Sequence, residues 1–329
     1  MDFAVRPAIP ADGLEVAMLL REMIPDCDVD ARIRWLYETN PNGKALTWLA
    51  VADSGEIAGC TSMFPFALWL DGTIVRAALG GDGFVRPTFR RRGVGKLLHE
   101  TSCRDMPAHQ LGCMYGAPGA PNVTPLKQGG SRDVGQVARW TRPLTLGVRV
   151  PPFDRLVRSA LRPRHAGELV PMVRHDVRVD TVWEAARTAL RLASVRDAAF
   201  YTWRFLETPS QREPAFVIMS NGAPIGACAI ELTDGGKNLR IVDLITLPAA
   251  WRRSLRAIAR HAIDHTTAST VDIKLTVVDG RSRAMWRAGF VEREAKPFLV
   301  MIPAGGDRRF LDPDRWFYGG ADSDLDLLA

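Results

Sequence analysis

No apolar run in the 329 residues approaches the roughly 18 needed to cross a membrane, and the opening Met1-Asp2-Phe3-Ala4-Val5-Arg6 lacks a signal-peptide core. A cytoplasmic location is expected. The five cysteines, Cys27, Cys60, Cys103, Cys113 and Cys228, are an odd number with no C-x-x-C pair, which argues against a disulfide framework and against a zinc site. Reduced, buried thiols are the expectation, and no metal is implied. Two phosphate-binding signatures are also missing: G-x-x-x-x-G-K-[ST], and G-x-G-x-x-G directly after a strand. The net charge is +6, but Arg and Lys are spread along the chain and do not gather with aromatics in one stripe. The excess is read as attraction for phosphorylated small molecules, with no nucleic-acid partner.

What is present is an ordinary globular composition, 47% hydrophobic and 24% charged, in a chain long enough for two domains. Phe3 to Arg6 reads as a short strand. Asp12 with Glu15 three residues on has capping-box spacing, and Leu14, Ala17, Leu20, Met23 and Ile24 recur at helical intervals. A second helix runs from Asp28 or Asp30 to Glu38. Ala45 to Ala52 and Ile57 to Phe66 form a hairpin across Asp53-Ser54-Gly55, and another hairpin pivots on Asp71-Gly72. Leu111 to Tyr115 is a strand. Gly116 to Asn122 is too rich in Gly and Pro for regular structure and reads as a loop.

The chain is organised around Asp82-Gly83-Phe84-Val85-Arg86-Pro87-Thr88-Phe89-Arg90-Arg91-Arg92-Gly93-Val94-Gly95-Lys96-Leu97-Leu98. A strand stops at the proline, and a helix ending near Asp105 starts after the glycines. Between them Gly93 and Gly95 let the backbone bend tightly, so that successive N–H groups converge where the helix dipole is positive. Arg90, Arg91, Arg92 and Lys96 surround that anion seat, and a diphosphate suits it.

The string V-x-P-x-x-R-x-x-G-x-G followed by Leu-Leu resembles the coenzyme A pyrophosphate loop of the GNAT superfamily of acyl-CoA N-acyltransferases. The resemblance implies acetyl-CoA or another acyl-CoA as co-substrate, gripped by Arg90, Arg91, Arg92, Gly93, Val94, Gly95 and Lys96. It also implies a central strand pair that splays to admit the pantetheine arm, with backbone groups offered by Phe84 and Val85 and a side-chain amide by Asn122. The backbone N–H near Val85 is the oxyanion donor on the same ground.

The second half repeats landmarks of the first. Arg34-Trp35-Leu36-Tyr37-Glu38-Thr39-Asn40-Pro41 is echoed by Thr202-Trp203-Arg204-Phe205-Leu206-Glu207-Thr208-Pro209 at an offset of 168 residues. Gly59 and Gly226 lie 167 apart, Pro87 and Pro248 lie 161 apart, and Gly129 and Gly289 lie 160 apart. The expected fold is therefore α/β with a mixed sheet. It comprises two tandem GNAT-like domains, each a twisted, mostly antiparallel sheet with a splayed central strand pair flanked by helices. Domain boundaries are expected at 1–150 for the coenzyme A-binding copy, 151–176 for a linker, 177–303 for the second copy and 304–329 for a tail. Trp316-Phe317-Tyr318 in that tail is expected to be covered, and Ala321 to Ala329 to fray. Where the first copy has its glycine turn, the second has Trp251-Arg252-Arg253-Ser254-Leu255-Arg256, so it is expected to bind no coenzyme A and to wall an acceptor pocket.

Acyl transfer to an amine needs a proton acceptor, a polarised carbonyl and a proton for the leaving thiolate. Asp82 is the candidate base and is read equally well as a turn aspartate among Gly80, Gly81 and Gly83. Many superfamily members carry an acidic-proton tyrosine on the helix after Asn122, whereas Pro125-Leu126-Lys127-Gln128-Gly129-Gly130 has none. Tyr115 is the nearest substitute, with a core residue or a water molecule as the alternatives. Arg34 and Tyr37 are candidates to reach the acceptor, Trp35 and Trp203 are core anchors, and His261 with His265 reads as a solvated helix face lacking a third metal ligand. The tandem layout and the Tyr-Gly-x-Pro-x-x-Pro-Asn loop resemble bacterial acyltransferases acting on nucleotide-linked amino sugars. The expected partner is a small-molecule amine of that kind, with another small amine, such as an amino acid or polyamine, or a non-catalytic acyl-CoA sensor as the competing readings. Oligomeric state is left open.

Overall fold

The computed structural model describes residues 2–145, 151–210, 212–276 and 281–323. Two compact units emerge: residues 1–136, 296–313 and 322–329 make the first, and residues 137–295 and 314–321 make the second. This division differs from the contiguous segments expected from sequence. The strand after α4 passes from one unit to the other at Val137, and the stretch expected as a linker with one short helix carries a helix and, beyond it, a strand.

In the first unit, β1 (Phe3–Pro7), β2 (Leu46–Ala52), β3 (Ile57–Leu70) and β4 (Thr73–Val85) pair antiparallel in that order. Asp71 and Gly72 turn β3 into β4 with φ of 45° and 101°, the positive pair that a two-residue hairpin turn requires. On its other side β4 meets β5 (Met114–Gly116) in parallel through Ala78↔Met114 and Leu79↔Tyr115. From Gly80 to Val85 no ladder to β5 continues among the described residues, so the strand pair opens like a fork. Residues 299–301 cover the far edge of β5 antiparallel.

The helices are α1 (Gly13–Met23), α2 (Val29–Arg32) running on as a π-helical turn (Ile33–Glu38), α3 (Val94–Asp105) and α4 (Ala120–Gln128). Asp12 does not cap α1 with its side chain. Its carboxylate instead takes the Ile9 N–H at 2.7 Å and the Arg6 guanidinium, which hold its pKa at about 2. α4 begins inside the segment expected to be loop, with Pro121 in its first turn, where the missing N–H has no partner to lose. The buried side of α3, with Val94, Leu98 and Cys103, packs with Trp48, Ala50, Met63 and Phe89 into one apolar cluster.

The second unit continues β6 (Arg132–Pro143) from Val137, followed by α5 (Pro151–Leu161), β7 (Glu168–Pro171), α6 (Val177–Ala186), β8 (Leu192–Ser194) and α7 (Ala198–Tyr201) with its π-helical extension (Thr202–Leu206). Then come β9 (Ala215–Ser220), β10 (Ala223–Thr233), β11 (Asn238–Thr246), α8 (Trp251–His265), β12 (Thr270–Leu275), α9 (Arg281–Arg287), β13 (Val291–Met301, leaving the unit at Lys296) and β14 (Trp316–Phe317). Its sheet runs β6-β12-β11-β10-β9-β7. β11 and β12 pair in parallel from Asn238 to Ile241 and then part, as β4 and β5 do. The Trp316-Phe317-Tyr318 run is buried, and β14 pairs with β8. Of the stretch expected to fray, Ala321 is buried and residues 324–329 lie outside the described residues.

The duplication holds at atomic detail. A Cβ on Gly59 would stand 2.3 Å from the Phe84 carbonyl oxygen, and a Cβ on Gly226 would stand 2.9 Å from that of Ile245. Each glycine is needed because the neighbouring strand's backbone crosses there. The turns before the π-helical segments open alike, with Asp28 accepting from Ala31 N and Asp197 accepting from Phe200 N.

Candidate active site

The proposed anion seat sits where the fork opens. After Val85 a short 3-10 turn (Pro87–Phe89) leads to Arg90 in extended conformation, and Arg91 and Gly93 then take φ of 62° and 81°. α3 starts at Val94, and its first intrahelical bond is Leu97 N to Gly93 O at 3.0 Å. Helix geometry therefore leaves the N–H groups of Val94, Gly95 and Lys96 without intrahelical acceptors at the positive end of the dipole. A Cβ on Gly93 would meet nothing within 4 Å, so the approach is open.

Arg90, Arg91, Arg92 and Lys96 are all exposed. Two are braced from behind. Arg90 donates from Nε to the Val85 carbonyl at 3.0 Å with its guanidinium 5.8 Å from the Phe84 ring, and the Arg92 guanidinium lies 6.0 Å from the Phe89 ring. Among the described residues Lys96 makes a surface pair with Glu100 at 3.6 Å. The donor set and its openness fit a diphosphate. Asn122 is exposed in the first turn of α4.

Asp82 is differently placed. One extra residue on β4 between the Cys60↔Phe84 and Ser62↔Gly81 pairs makes a β-bulge, and Asp82 there has φ of 47°. Its Oδ1 accepts from Arg32 Nη2 at 2.7 Å, and its Oδ2 accepts from Arg32 Nε at 3.1 Å and from the Tyr37 hydroxyl at 2.7 Å. Tyr37 also meets Ser62 Oγ at 3.2 Å, and Ser62 meets Thr47 at 3.0 Å. The Arg32 and Asp82 side chains are 3% and 1% exposed. Burial, then the charge of Asp82, pushes the Tyr37 hydroxyl pKa well above its usual value and the Cys60 thiol up to about 12.

The candidates from sequence are thus not all brought together. The loop residues converge, with Phe84 and Val85 on the strand leading into them. Tyr37 is buried in the Asp82 cluster while Arg34, on the same π-helical turn, is exposed, so the two do not share a face. Tyr115 is 2% exposed, wedged edge-on against Phe66 and Phe298 at 6.4 and 6.5 Å, just where β4 and β5 still pair. Arg32, standing between Asp30 and Arg34, had no sequence signal, and Ser62 had none beyond lying in a largely apolar strand.

The second unit contains a cluster of the same composition, its arginine and tyrosine drawn from other positions of the repeat. Asp243, like Asp82, stands five residues before the proline that ends its strand. Arg196 Nε reaches both of its carboxylate oxygens at 3.0 Å, and the Tyr201 hydroxyl donates at 2.9 Å. The anion seat, by contrast, is not repeated. α8 is already helical at Trp251, and Ser254, in the place of Gly93, is fully buried. Each unit thus sets a buried carboxylate, five residues before the strand-ending proline, against an arginine and a tyrosine.

Forked strand pair, bulge and glycine-started helix together define the fold of the GCN5-related N-acetyltransferases. Solved structures of that fold superpose over nearly the whole chain. One is a GCN5-related N-acetyltransferase from Anabaena variabilis, at TM-score 0.68 and 16% identity, covering 92% of this chain and 73% of its own. Another is a conserved protein from Enterococcus faecalis described as a probable N-acyltransferase, at 0.67 and 14%, covering 92% and 73%. A third, from Kribbella flavida, is a GCN5-related N-acetyltransferase at 0.62 and 16%, covering 92% and 71%. No family model and no curated protein matches the sequence. At these identities the likeness carries the fold.

Proposed function

We propose that the chain transfers an acyl group, acetyl in the simplest case, from acyl-CoA to the primary amine of a small molecule. A nucleotide-linked amino sugar is the acceptor class we favour, because its diphosphate suits the positive net charge of +6. The observation that carries this reading is the open, cation-ringed turn at Arg90–Lys96 set against the strand fork.

In the proposed reaction the amine nitrogen forms a bond to the thioester carbon, the C–S bond breaks, and the thiolate takes a proton. The loop holds the diphosphate, the β4 edge beyond Leu79 aligns the arm, and a backbone N–H near Val85 polarises the carbonyl. Asp82 is bonded to Arg32 and Tyr37 and holds the bulge in shape. Tyr115 lines the base of the fork. Water accepts the amine's proton, which an amino sugar gives up more readily than a lysine at about 10.4.

The commitment of Asp82 and the burial of Tyr115 also favour a second reading, an acyl-CoA sensor without turnover. Release of free thiol from acetyl-CoA in the presence of a panel of amines separates the two. Turnover with an amino-sugar nucleotide supports the enzyme, and calorimetric binding without turnover on any amine supports the sensor. Absence of heat with every acyl-CoA removes both.

A further inference from the structure

The second unit holds a cavity of about 500 Å³ that acyl transfer does not use. Arg142, Arg162, Arg164, His165, Arg256 and Arg287 are among its described lining residues, and none of those is a carboxylate. The wall is built, not accidental. Arg158 on α5 donates to the carbonyls of Thr266 and Ala268 at 2.7 Å each, tying α5 to the end of α8 and so placing the segment 159–165 that follows. Arg142 on β6 is fixed by bonds to the Ala288 and Leu161 carbonyls at 2.8 and 2.9 Å.

Charge here is left unbalanced. Arg162 is paired with Asp264 at 2.7 Å, but Arg164, Arg256 and Arg287 have no ion pair among the described residues, and Arg142 spends its donors on neutral carbonyls. Arg142 and Arg256 line the same cavity, and burial and the nearby charge of Arg256 both lower the Arg142 pKa. Like charges so placed repel unless an anion comes between them.

The repeat gives the position meaning. Arg256 lies 161 residues after Gly95 and Gly289 lies 160 after Gly129, so the cavity is the second copy's counterpart of the groove beside α3. The first copy offers an anion backbone N–H groups, and the second offers planar guanidinium forks.

We propose that this cavity binds the phosphate groups of a small phosphorylated molecule, a diphosphate being the unit it suits. Guanidinium groups hold phosphate oxygens two at a time, and the volume falls in the range of small-molecule sites. A concave wall with arginines on several sides favours a compact ligand over a polymer or a bilayer. The proposal does not rest on acyl-CoA binding in the first unit.

The test uses the full chain carrying Gly93→Val, which closes the seat of the first unit, titrated calorimetrically with inorganic pyrophosphate. Binding is expected in that protein, and the further pair Arg256→Ala with Arg287→Ala is expected to weaken it at least about 10-fold, the usual loss for charge-assisted hydrogen bonds. Arg256→Lys, which keeps the charge, is expected to retain most of the affinity and guards against a folding artefact. No heat in the Gly93→Val protein, an affinity unchanged by the paired replacement, or binding only to vesicles containing phosphatidic acid each overturns the proposal.

Discussion

Arg32 and Asp82 face each other through two hydrogen bonds, 2.7 and 3.1 Å, with neither side chain more than 3% exposed, although 50 residues separate them. Removing one partner of such a pair leaves an uncompensated buried charge. Asp82→Asn is therefore expected to cost about 3–5 kcal/mol of stability, read by chemical denaturation. With folded protein held constant, acyl transfer should change by less than about threefold. A loss of 10²-fold or more in a fully folded variant would instead mark Asp82 as the base.

Gly93→Val tests the seat itself. The φ of 81° makes any side chain cost about 1–2 kcal/mol, yet nothing lies within 4 Å to clash. The melting temperature should fall only slightly while acyl-CoA affinity, measured by calorimetry, is lost. Undiminished affinity would mean that the diphosphate lies elsewhere.

Gly59→Ala and Gly226→Ala should both destabilise, in that order of severity. Their added methyl groups would meet backbone carbonyls at 2.3 and 2.9 Å, which cannot swing aside as a side chain can. Overpacking of this kind costs about 1–3 kcal/mol, and denaturation midpoints of the two variants give the ranking.

His99 should make the protein acid-sensitive. Its ring is buried on α3 beside Ser131 Oγ at 3.2 Å, and burial lowers its pKa below the ordinary 6.5. Above about 6.5 both folded and unfolded forms are neutral and the group contributes nothing. Below it the unfolded chain takes up a proton that the folded chain refuses, so stability falls until the folded pKa is reached, by about 1.4 kcal/mol for each unit between the two values. Melting curves from pH 7.5 to 5 should show this slope, and His99→Asn should flatten it.

Thiol labelling offers a check on burial. Cys60 and Cys103 are pushed up to about 12 by desolvation, Cys113 and Cys228 are also buried and raised, and Cys27, raised as well by partial burial, alone is half-exposed. One cysteine of the five should react quickly with iodoacetamide at pH 8, and four only on unfolding.

The glycine turn could be read in advance because its residues are contiguous and their roles are local: a bend, a helix start, a ring of cations. The duplication was readable for a related reason, since Gly59 and Gly226 answer the same backbone crossing. The surroundings of Asp82 were not legible from its neighbours, because its carboxylate meets an arginine fifty positions earlier and a tyrosine hydroxyl arriving from a π-helical turn. The segment holding Asn122 reads as loop because prolines dominate it, yet a proline in a first turn is no obstacle to a helix. The unit boundaries were hidden because compactness follows strand pairing and ignores chain order.

Leu299, Val300 and Met301 supply the antiparallel neighbours of Gly116, Tyr115 and Met114. A protein ending at residue 150 would therefore expose the outer margin of β5 as a raw hydrogen-bonding surface, and self-association is the foreseeable result. The two units interleave along the chain and cannot be parted by a single cut.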